Sequence, residues 1–167
     1  DPLTSDTRVL AGFRDRFPAL VPREREALLE DPSIDLIACA AIPRHRAGIA
    51  IRAMQAGKDV MMDKPGVTTA EQLAAVEAAV ARTGRIFSVC FSERFLVPAT
   101  LVAGKLIADG AIGRVVQTVG LGPHRLNRAI RPGWFFDKAA FGGILTDIAS
   151  HQIDQFLHFS GSTHAQI

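Results

Sequence analysis

The sequence has very little cysteine and no sign of a disulfide framework. Its two cysteines, Cys39 and Cys90, both lie within strongly apolar segments. Cysteine is among the residue types most often found fully buried, and small secreted domains carry many more of them. We therefore expect two buried thiols in a reducing compartment, which favours a cytoplasmic protein.

Long apolar runs and blocks of one charge are missing as well. The longest apolar runs, 34–42 and 85–91, are far shorter than the roughly 20 residues that a helix needs to cross a bilayer. The formal net charge is only +2, and the basic residues are scattered among acidic ones. These absences argue against a membrane or a nucleic acid as the partner, and they favour a small molecule.

Between residues 22 and 93, strand-like and helix-like segments alternate with short connections. Parallel strands joined by helices produce this pattern, so the expected fold class is α/β. Strands are predicted over 34–41, 58–62 and 85–91, and helices over 23–30, 46–56 and the segment that a Thr68–Glu71 capping box opens. The first strand is apolar enough to be buried on both faces in the middle of a sheet.

The character of the sequence changes after Phe95, and we expect a domain boundary there. Residues 1–95 would form one domain and residues 96–167 the beginning of another. In the second part we predict a helix over 99–108, a strand over 115–120, a long surface loop over 123–143 that walls a pocket, and a helix over 144–159.

The first motif that carries chemistry is Asp63-Lys64-Pro65, which follows the second predicted strand. Open α/β sheets bind ligands at the carboxyl ends of their strands. Pro65 restricts Lys64 toward an extended conformation, so the ammonium group can point into the crevice and donate to a substrate oxygen or take part in proton transfer. The alternative is a solvated turn lysine, since most lysines are exposed.

The second motif is Gly142-Gly143-Ile144-Leu145-Thr146-Asp147-Ile148-Ala149-Ser150-His151. Asp147 and His151 are four residues apart and would share a helix face, which Asp154 and His158 extend. A carboxylate beside the imidazole would raise the pKa of His151 and suit it to acid–base work. The same pairs could ligate a divalent metal, but further ligands are not evident and we expect no metal. A solvent-facing polar helix surface is the remaining alternative.

Taken together, these segments resemble one protein family. Their order is a strand, Ala41-Ile42-Pro43-Arg44-His45, a helix, Gly57-Lys58, a strand, Asp63-Lys64-Pro65, a helix, a strand, Ser92-Glu93-Arg94-Phe95, and finally Gly142-Gly143 with Asp147 and His151. Through most of the chain this order resembles the Gfo/Idh/MocA oxidoreductases. The resemblance implies part of a Rossmann domain over 1–95, followed by the start of an α/β domain with a large open sheet.

The resemblance also implies a role for each of these residues. In that family a lysine before a proline and the Asp and His of the glycine-led motif line the site where hydride passes between the nicotinamide and a sugar carbon. Lys64 would bridge cofactor and substrate hydroxyl, Asp147 would hold and polarise the substrate, and His151 would exchange the hydroxyl proton. The implied cofactor is NAD or NADP, and the residues expected to bind it are Ala41, Ile42, Pro43, His45, Asp63, Lys64 and Ser92.

The sequence departs from the family pattern in several places. Asp63 stands where the family usually has Glu, and Arg46 stands near a common His and is expected to begin the next helix. No Gly-x-Gly-x-x-Gly turn, which normally seats a pyrophosphate on a helix N-terminus, occurs in the chain. We therefore expect the chain to be an interior stretch of a longer protein, roughly half of it by domain size.

The leading functional hypothesis is an NAD(P)-dependent oxidoreductase that acts on the CH–OH group of a sugar, cyclitol or related polyol. His124, Arg125, Arg131 and Trp134 are expected to help bind the substrate, although each is also compatible with an ordinary loop. The protein is expected to be a homodimer or homotetramer. Two alternatives stay open: an NAD-dependent glycosidase of the same fold, which returns its cofactor unchanged, and a non-catalytic dinucleotide-binding sensor.

Overall fold

A computed structural model of the chain describes residue 12 and residues 14–163. The first half of this region alternates helices and strands: α1 (Arg25–Glu30), β1 (Leu36–Cys39), α2 (Pro43–Gln55), β2 (Asp59–Asp63), α3 (Ala70–Thr83) and β3 (Phe87–Cys90). The predicted α/β class is therefore confirmed. Helices are longer than strands and every connection is short, as expected for parallel strands joined by crossover helices.

The three strands form one parallel sheet in the order β1-β2-β3. Its central strand is β2, whose Val60 and Met62 are fully buried. Among residues 14–163, β1 pairs with β2 alone and Leu36 is 51% exposed, so the mid-sheet position with both faces buried that the sequence predicts for the first strand is not observed within this region.

The core lies between the sheet and helices α2 and α3. Helix α2 turns a row of small residues inward, and these lie against α3 and β2: Ala47, Ala50, Ala53 and Met54. Alanine side chains let the helix axes approach closely, and Val76 and Ala79 of α3 fill the space that remains. This packing fixes the helices relative to the strand ends, where the candidate site lies.

Helix α3 begins one residue later than the predicted capping box. Thr69 is the residue that caps the helix, and its hydroxyl accepts the Gln72 amide at 3.2 Å. The Gln72 side chain in turn accepts the backbone N–H of Thr68 at 2.8 Å. The reciprocal pattern is therefore carried by Gln72 and not by Glu71, because Gln72 occupies the third helical position counted from Thr69.

The second half is mostly helical. It contains α4 (Ser92–Leu96), α5 (Pro98–Ala108), two 3₁₀ turns (Arg128–Ile130 and Gly133–Phe136), α6 (Lys138–Phe141), a π-helical turn (Leu145–Ala149) and α7 (Ser150–Ser160). The predicted strand over 115–120 is wrong: this segment has no ladder partner within 14–163, and Val116 and Val119 are largely exposed. A strand forms only where a neighbour accepts its backbone hydrogen bonds, and an apolar alternation does not supply one.

None of the helices that the structure describes is both long enough and apolar enough to span a bilayer. Cys39 and Cys90 are free thiols within the described region. Each is partly buried, so the predicted full burial of both side chains is not observed.

Candidate active site

Three loops that carry predicted site residues meet at one edge of the sheet. The parallel register pairs Cys39 with Met62 and Asp63 with Cys90, so the three strands end side by side. The segments that follow these ends hold seven residues that the sequence predicts to bind a cofactor: Ala41, Ile42, Pro43, His45, Asp63, Lys64 and Ser92. This edge is where open α/β sheets place their ligands.

The exposure of these seven side chains differs. Pro43 is buried beneath the loop, and His45 and Asp63 are exposed. The Asp63 carboxylate is engaged locally, because it accepts the Lys64 backbone N–H at 2.9 Å and pairs with Arg46 at 3.3 Å. In this arrangement Asp63 stabilises its own turn.

Lys64 and Asp147 form the central contact of the site. The Lys64 Nζ lies 2.8 Å from Asp147 Oδ1 and 2.8 Å from the Asp147 carbonyl oxygen. The two side chains are only 18% and 9% exposed. Such a shielded ion pair is not a solvated turn lysine, and the structure thus rejects that alternative for Lys64.

Two glycines and a π-helical turn position Asp147 for this contact. Gly142 and Gly143 both have φ +87°, a left-handed conformation that side chains rarely adopt. The chain then enters the π-helical turn, in which the Asp147 amide donates to the Gly143 carbonyl at 2.9 Å. Single π-helical turns are frequent at functional sites. The sequence predicted the glycine-led helix start but carried no signal for the widened turn.

His151 lies one turn further along, at the start of α7, and is only 3% exposed. Its ring packs edge-on against Phe91, with 6.1 Å between the ring centres. Its Nε2 lies 3.9 Å from the Glu93 carboxylate, and its buried Nδ1 has no hydrogen-bond partner among the described residues. Asp147 bonds to Lys64 instead of to this imidazole.

The pKa of His151 is lowered from the ordinary histidine value of 6.5, contrary to the prediction. Burial is the main cause, because it disfavours the charged imidazolium, and nearby Lys64 and His124 act in the same direction. Glu93 and, more weakly, Asp147 oppose the shift. His151 is therefore neutral at neutral pH, which leaves one ring nitrogen free to accept a proton.

Glu93 is a residue of this site that the sequence did not single out. It follows β3 in α4, and its Oε1 lies 3.2 Å from His124 Nε2. Its Oε2 accepts from the Gln155 side chain at 3.3 Å. Glu93 thus joins His124 and His151 into one cluster, and no sequence spacing could reveal it because the three residues come from separate elements.

The polar side of α7 faces the protein interior. Asp154 pairs with Arg94 of α4 at 2.6 Å and is 13% exposed. His158 is exposed and lies close to Gly104 in α5. The solvent-facing alternative is therefore wrong for Asp147, His151 and Asp154.

The predicted substrate-binding residues separate into two groups. His124 reaches the Glu93 cluster, whereas Arg131 stacks on Phe135 at 4.0 Å and donates to the Leu126 carbonyl at 3.1 Å. Trp134 lies 4.9 Å from the Phe135 ring, measured between ring centres. Arg125 is exposed. These contacts of Arg131 and Trp134 lie within the 126–141 segment and do not reach Lys64, Asp147 or His151.

Arg46 is a second residue of the site whose role the sequence did not indicate. The sequence predicts that Arg46 begins α2, but the helix begins three residues earlier, at Pro43; the Arg46 side chain is only 4% exposed and turns back toward the strand ends. There it donates to backbone carbonyls of the Asp63-Lys64-Pro65 turn, whose Lys64–Pro65 peptide bond is cis. A buried arginine is rare unless it is fully paired. Burial and pairing appear only in the folded chain, so the sequence could not indicate this role.

Beside this turn lies an open apolar groove of about 410 Å³. One wall is the turn and β3, and the other is the π-helical turn with the start of α7: Pro65, Gly66, Phe87, Val89, Leu145 and Ile153 are among its residues. At Gly66 this wall leaves no room for a side chain. A Cβ at Gly66 would lie 2.5 Å from Val89 Cγ2 and 3.1 Å from Phe87 Cζ.

A Gly66→Ala substitution is expected to lower the free energy of unfolding by about 1–3 kcal/mol, because the β-branched Val89 cannot rotate away from the added methyl group. Urea unfolding of the variant measures this loss. Gly48→Ala is the matched control, since a Cβ at Gly48 in α2 meets no atom within 4 Å and should stabilise the helix by up to about 1 kcal/mol. Equal effects of the two substitutions would contradict the close packing at Gly66.

Among the residues that the structure describes, no group of three or more His, Cys, Asp or Glu side chains is arranged to hold a metal ion. The Asp147 and His151 pair has no third ligand there. Metal ligation therefore has no geometric support in the described region.

Comparison with known proteins agrees with this geometry. The model of an oxidoreductase family with an NAD-binding Rossmann fold matches residues 5–91, and that of the GFO/IDH/MocA C-terminal domain matches residues 100–167. The chain belongs to the Gfo/Idh/MocA oxidoreductase family. Its fold and its family were thus both predicted from the sequence.

Several relatives are known in more detail. The chain is 34% identical to levoglucosan dehydrogenase of Pseudarthrobacter phenanthrenivorans over 83% of this chain and 36% of that protein. It is 30% identical to scyllo-inositol 2-dehydrogenase (NADP(+)) IolW of Bacillus subtilis over 91% of this chain and 42% of that protein. The chain therefore spans less than half the length of these curated relatives.

A solved structure of a candidate oxidoreductase from Erwinia carotovora atroseptica superimposes with a TM-score of 0.88 at 52% identity, covering 94% of this chain and 47% of that one. A levoglucosan dehydrogenase structure in complex with NADH superimposes with a TM-score of 0.68 at 32% identity, covering 83% of this chain and 38% of that one.

Proposed function

We propose that the protein containing this chain is an NAD(P)-dependent oxidoreductase that transfers hydride between a nicotinamide and the CH–OH carbon of a sugar, cyclitol or related polyol. The observation that carries the proposal is the 2.8 Å contact between Lys64 Nζ and Asp147 Oδ1 at the carboxyl edge of the sheet, with His151 one helical turn away. Family membership and the substrates in the relatives' names support it.

The residues present fit the nicotinamide end of an NAD or NADP site. Three strand ends converge on one edge, and a shielded cation stands there beside a carboxylate. Ala41, Ile42, Pro43, His45, Asp63, Lys64 and Ser92 would hold the dinucleotide, with Pro43 acting by shaping the loop. The bound cofactor supplies the hydride chemistry.

The chain's own groups would bind the substrate and move its proton. Lys64 Nζ would donate to the reacting hydroxyl oxygen, and the Asp147 carboxylate would accept from a hydroxyl and hold the sugar in place. His151, kept neutral by burial, would accept the hydroxyl proton at Nε2 as the alcohol is oxidised, and return it in the reverse direction. Buried groups of this kind exclude water, which strengthens their electrostatic interactions.

The same proposal covers the domain division and the partners. A boundary between residues 95 and 96 is compatible with the two family matches, which end at 91 and begin at 100. His124 would contact substrate beside Glu93, whereas Arg125, Arg131 and Trp134 would act from the loop that walls the pocket. We propose a cytoplasmic homo-oligomer whose ligands are small molecules.

The test is reduction of NAD⁺ and NADP⁺ by the full-length protein with a panel of sugars, inositols and sugar acids. Formation of NAD(P)H in proportion to substrate consumed is the expected result, and the panel names the substrate. Cleavage of a glycoside without net formation of NAD(P)H would replace the proposal with the glycosidase hypothesis. Tight nucleotide binding without turnover of any substrate would replace it with the hypothesis of a non-catalytic sensor.

The pH dependence tests the role of Glu93. The acid limb of the kcat/KM profile for alcohol oxidation, which reports groups of the free enzyme, should lie below pH 6.5, because burial lowers the pKa of His151 and only its neutral form accepts a proton. Since the Glu93 carboxylate favours the imidazolium, Glu93→Gln should move this limb to still lower pH. Glu77→Gln on the exposed side of α3 is the control and should leave the limb in place. A shift toward higher pH in the Glu93 variant would contradict the assignment.

A further inference from the structure

The buried guanidinium of Arg46 connects two loops that belong to different strands. Its Nε donates to the Ala41 carbonyl at 2.7 Å, in the loop that follows β1. Its Nη1 contacts the carbonyls of Asp63, Lys64 and Pro65 at 2.7, 2.6 and 2.9 Å, in the turn that follows β2. Its Nη2 lies 3.3 Å from Asp63 Oδ2. One side chain therefore holds both strand ends.

These contacts suit an arginine and no other side chain. A guanidinium offers five N–H donors in a rigid planar fork, and here all three nitrogens are used. A lysine has a single nitrogen and cannot reach the carbonyls of Ala41 and the Asp63-Lys64-Pro65 turn from one position. Burying such a cation is costly unless its donors are satisfied, so its placement at this turn needs a compensating contact set, which the carbonyls and Asp63 supply.

The turn that Arg46 grips is the one that aims Lys64. Arg46 contacts three consecutive carbonyls of this turn. The Lys64 side chain extends from the same turn, and its Nζ lies 2.8 Å from Asp147 Oδ1. The carbonyls of Lys64 and of its two neighbours cannot move without breaking contacts to the guanidinium. A displacement of about 1 Å at a reacting group is enough to slow catalysis about 100-fold.

We infer that Arg46 is a positioning residue that sets the aim of Lys64 and locks the nucleotide-side loop at Ala41 to the Asp63-Lys64-Pro65 turn. This inference rests on the proposed function for its kinetic consequence. The structural consequence of the inference does not depend on the proposed function, because the order of the turn can be measured without turnover. Arg46 itself touches neither substrate nor cofactor in this scheme.

Lys58 provides a matched control. It is a second buried cation and lies immediately before β2. Its Nζ donates to the Asp31 carbonyl at 2.6 Å. It therefore lies at the amino end of β2, whereas Arg46 acts at the carboxyl end. We expect the removal of either cation to destabilise the same strand, and only the removal of Arg46 to disturb the site.

The experiment compares Arg46→Met, Arg46→Lys and Lys58→Met in the full-length protein. Amide hydrogen exchange in a peptide covering 60–68, Tm, nucleotide Kd and kcat are measured for each. In Arg46→Met we expect faster exchange confined to this peptide and to a second peptide that covers the loop at Ala41, and a kcat lower by about 10–100-fold than that of Lys58→Met at a comparable Tm. Arg46→Lys keeps the positive charge but loses the planar set of N–H donors. Its kcat should therefore stay close to that of Arg46→Met.

The inference is overturned if Arg46→Met and Lys58→Met lose the same fraction of kcat at equal Tm, or if Arg46→Lys restores the wild-type kcat. Exchange that rises across all three strands in Arg46→Met would also overturn it, since that pattern marks a general structural role. If the wild-type protein turns over no substrate, the proposed function fails while the exchange comparison still decides the role of Arg46.

Discussion

A Lys64→Met variant is expected to lose about 1,000-fold in kcat for NAD(P)⁺ reduction, because it removes both the donor to the reacting hydroxyl and the charge that would stabilise a developing alkoxide. Methionine keeps most of the side-chain length and loses the ammonium group. The loss should appear in kcat more than in KM, since the interaction strengthens as charge develops on the substrate oxygen. Single-turnover absorbance of NAD(P)H measures it directly.

The same substitution should destabilise the protein. It leaves Asp147, which is 9% exposed, without its cation, and breaking a shielded ion pair in this way costs about 3–5 kcal/mol in the free energy of unfolding. Adding Asp147→Asn should restore much of this stability, because it removes the unpaired charge, but none of the activity. Lys105→Met is the matched control: its ion pair with Asp109 is on the surface of α5 and should contribute less than about 1 kcal/mol.

A Lys64→Met protein that retains turnover within a few fold of wild type would remove Lys64 from the reaction. If the single variant were inactive but the Asp147→Asn double variant recovered activity, the ammonium group would act only by neutralising Asp147. Either result would redirect the proposal, and urea unfolding of the same proteins separates both from loss of folded protein.

The sequence carried the elements and the motifs because both are local. Alternating apolar segments predicted three strands and their helices, and Pro65 and Gly142-Gly143 marked the turns that introduce Lys64 and Asp147. Because parallel strands end at one edge, the placement of the Asp63-Lys64-Pro65 turn there also followed from the pattern.

What the sequence could not carry are contacts between distant elements. The Lys64–Asp147 pair joins positions 83 residues apart, and the Arg46 contacts cross from α2 to two other loops. Burial reverses the expected direction of the His151 pKa shift, and burial is a property of the folded chain. The predicted strand over 115–120 failed for the same reason, since a ladder partner is a tertiary contact.

His151→Asn is the second substitution with a large expected effect. It removes the group proposed to accept the proton of the reacting hydroxyl, so kcat for alcohol oxidation should fall by about 100–10,000-fold. The acid limb attributed to His151 should disappear from the kcat/KM profile of the residual activity. Stopped-flow absorbance over a range of pH measures both effects in one experiment.

His158→Asn supplies the control, because it changes the same residue type on the same helix at an exposed position beside Gly104. It should leave kcat within about 2-fold, as expected for a surface change away from the site. Persistence of the acid limb in His151→Asn would show that another group accepts the substrate proton, and the other histidine of the cluster is His124, which lies 3.2 Å from the same Glu93 carboxylate. A His124→Asn protein then decides between them, since only the group that accepts the substrate proton can remove both the limb and the rate.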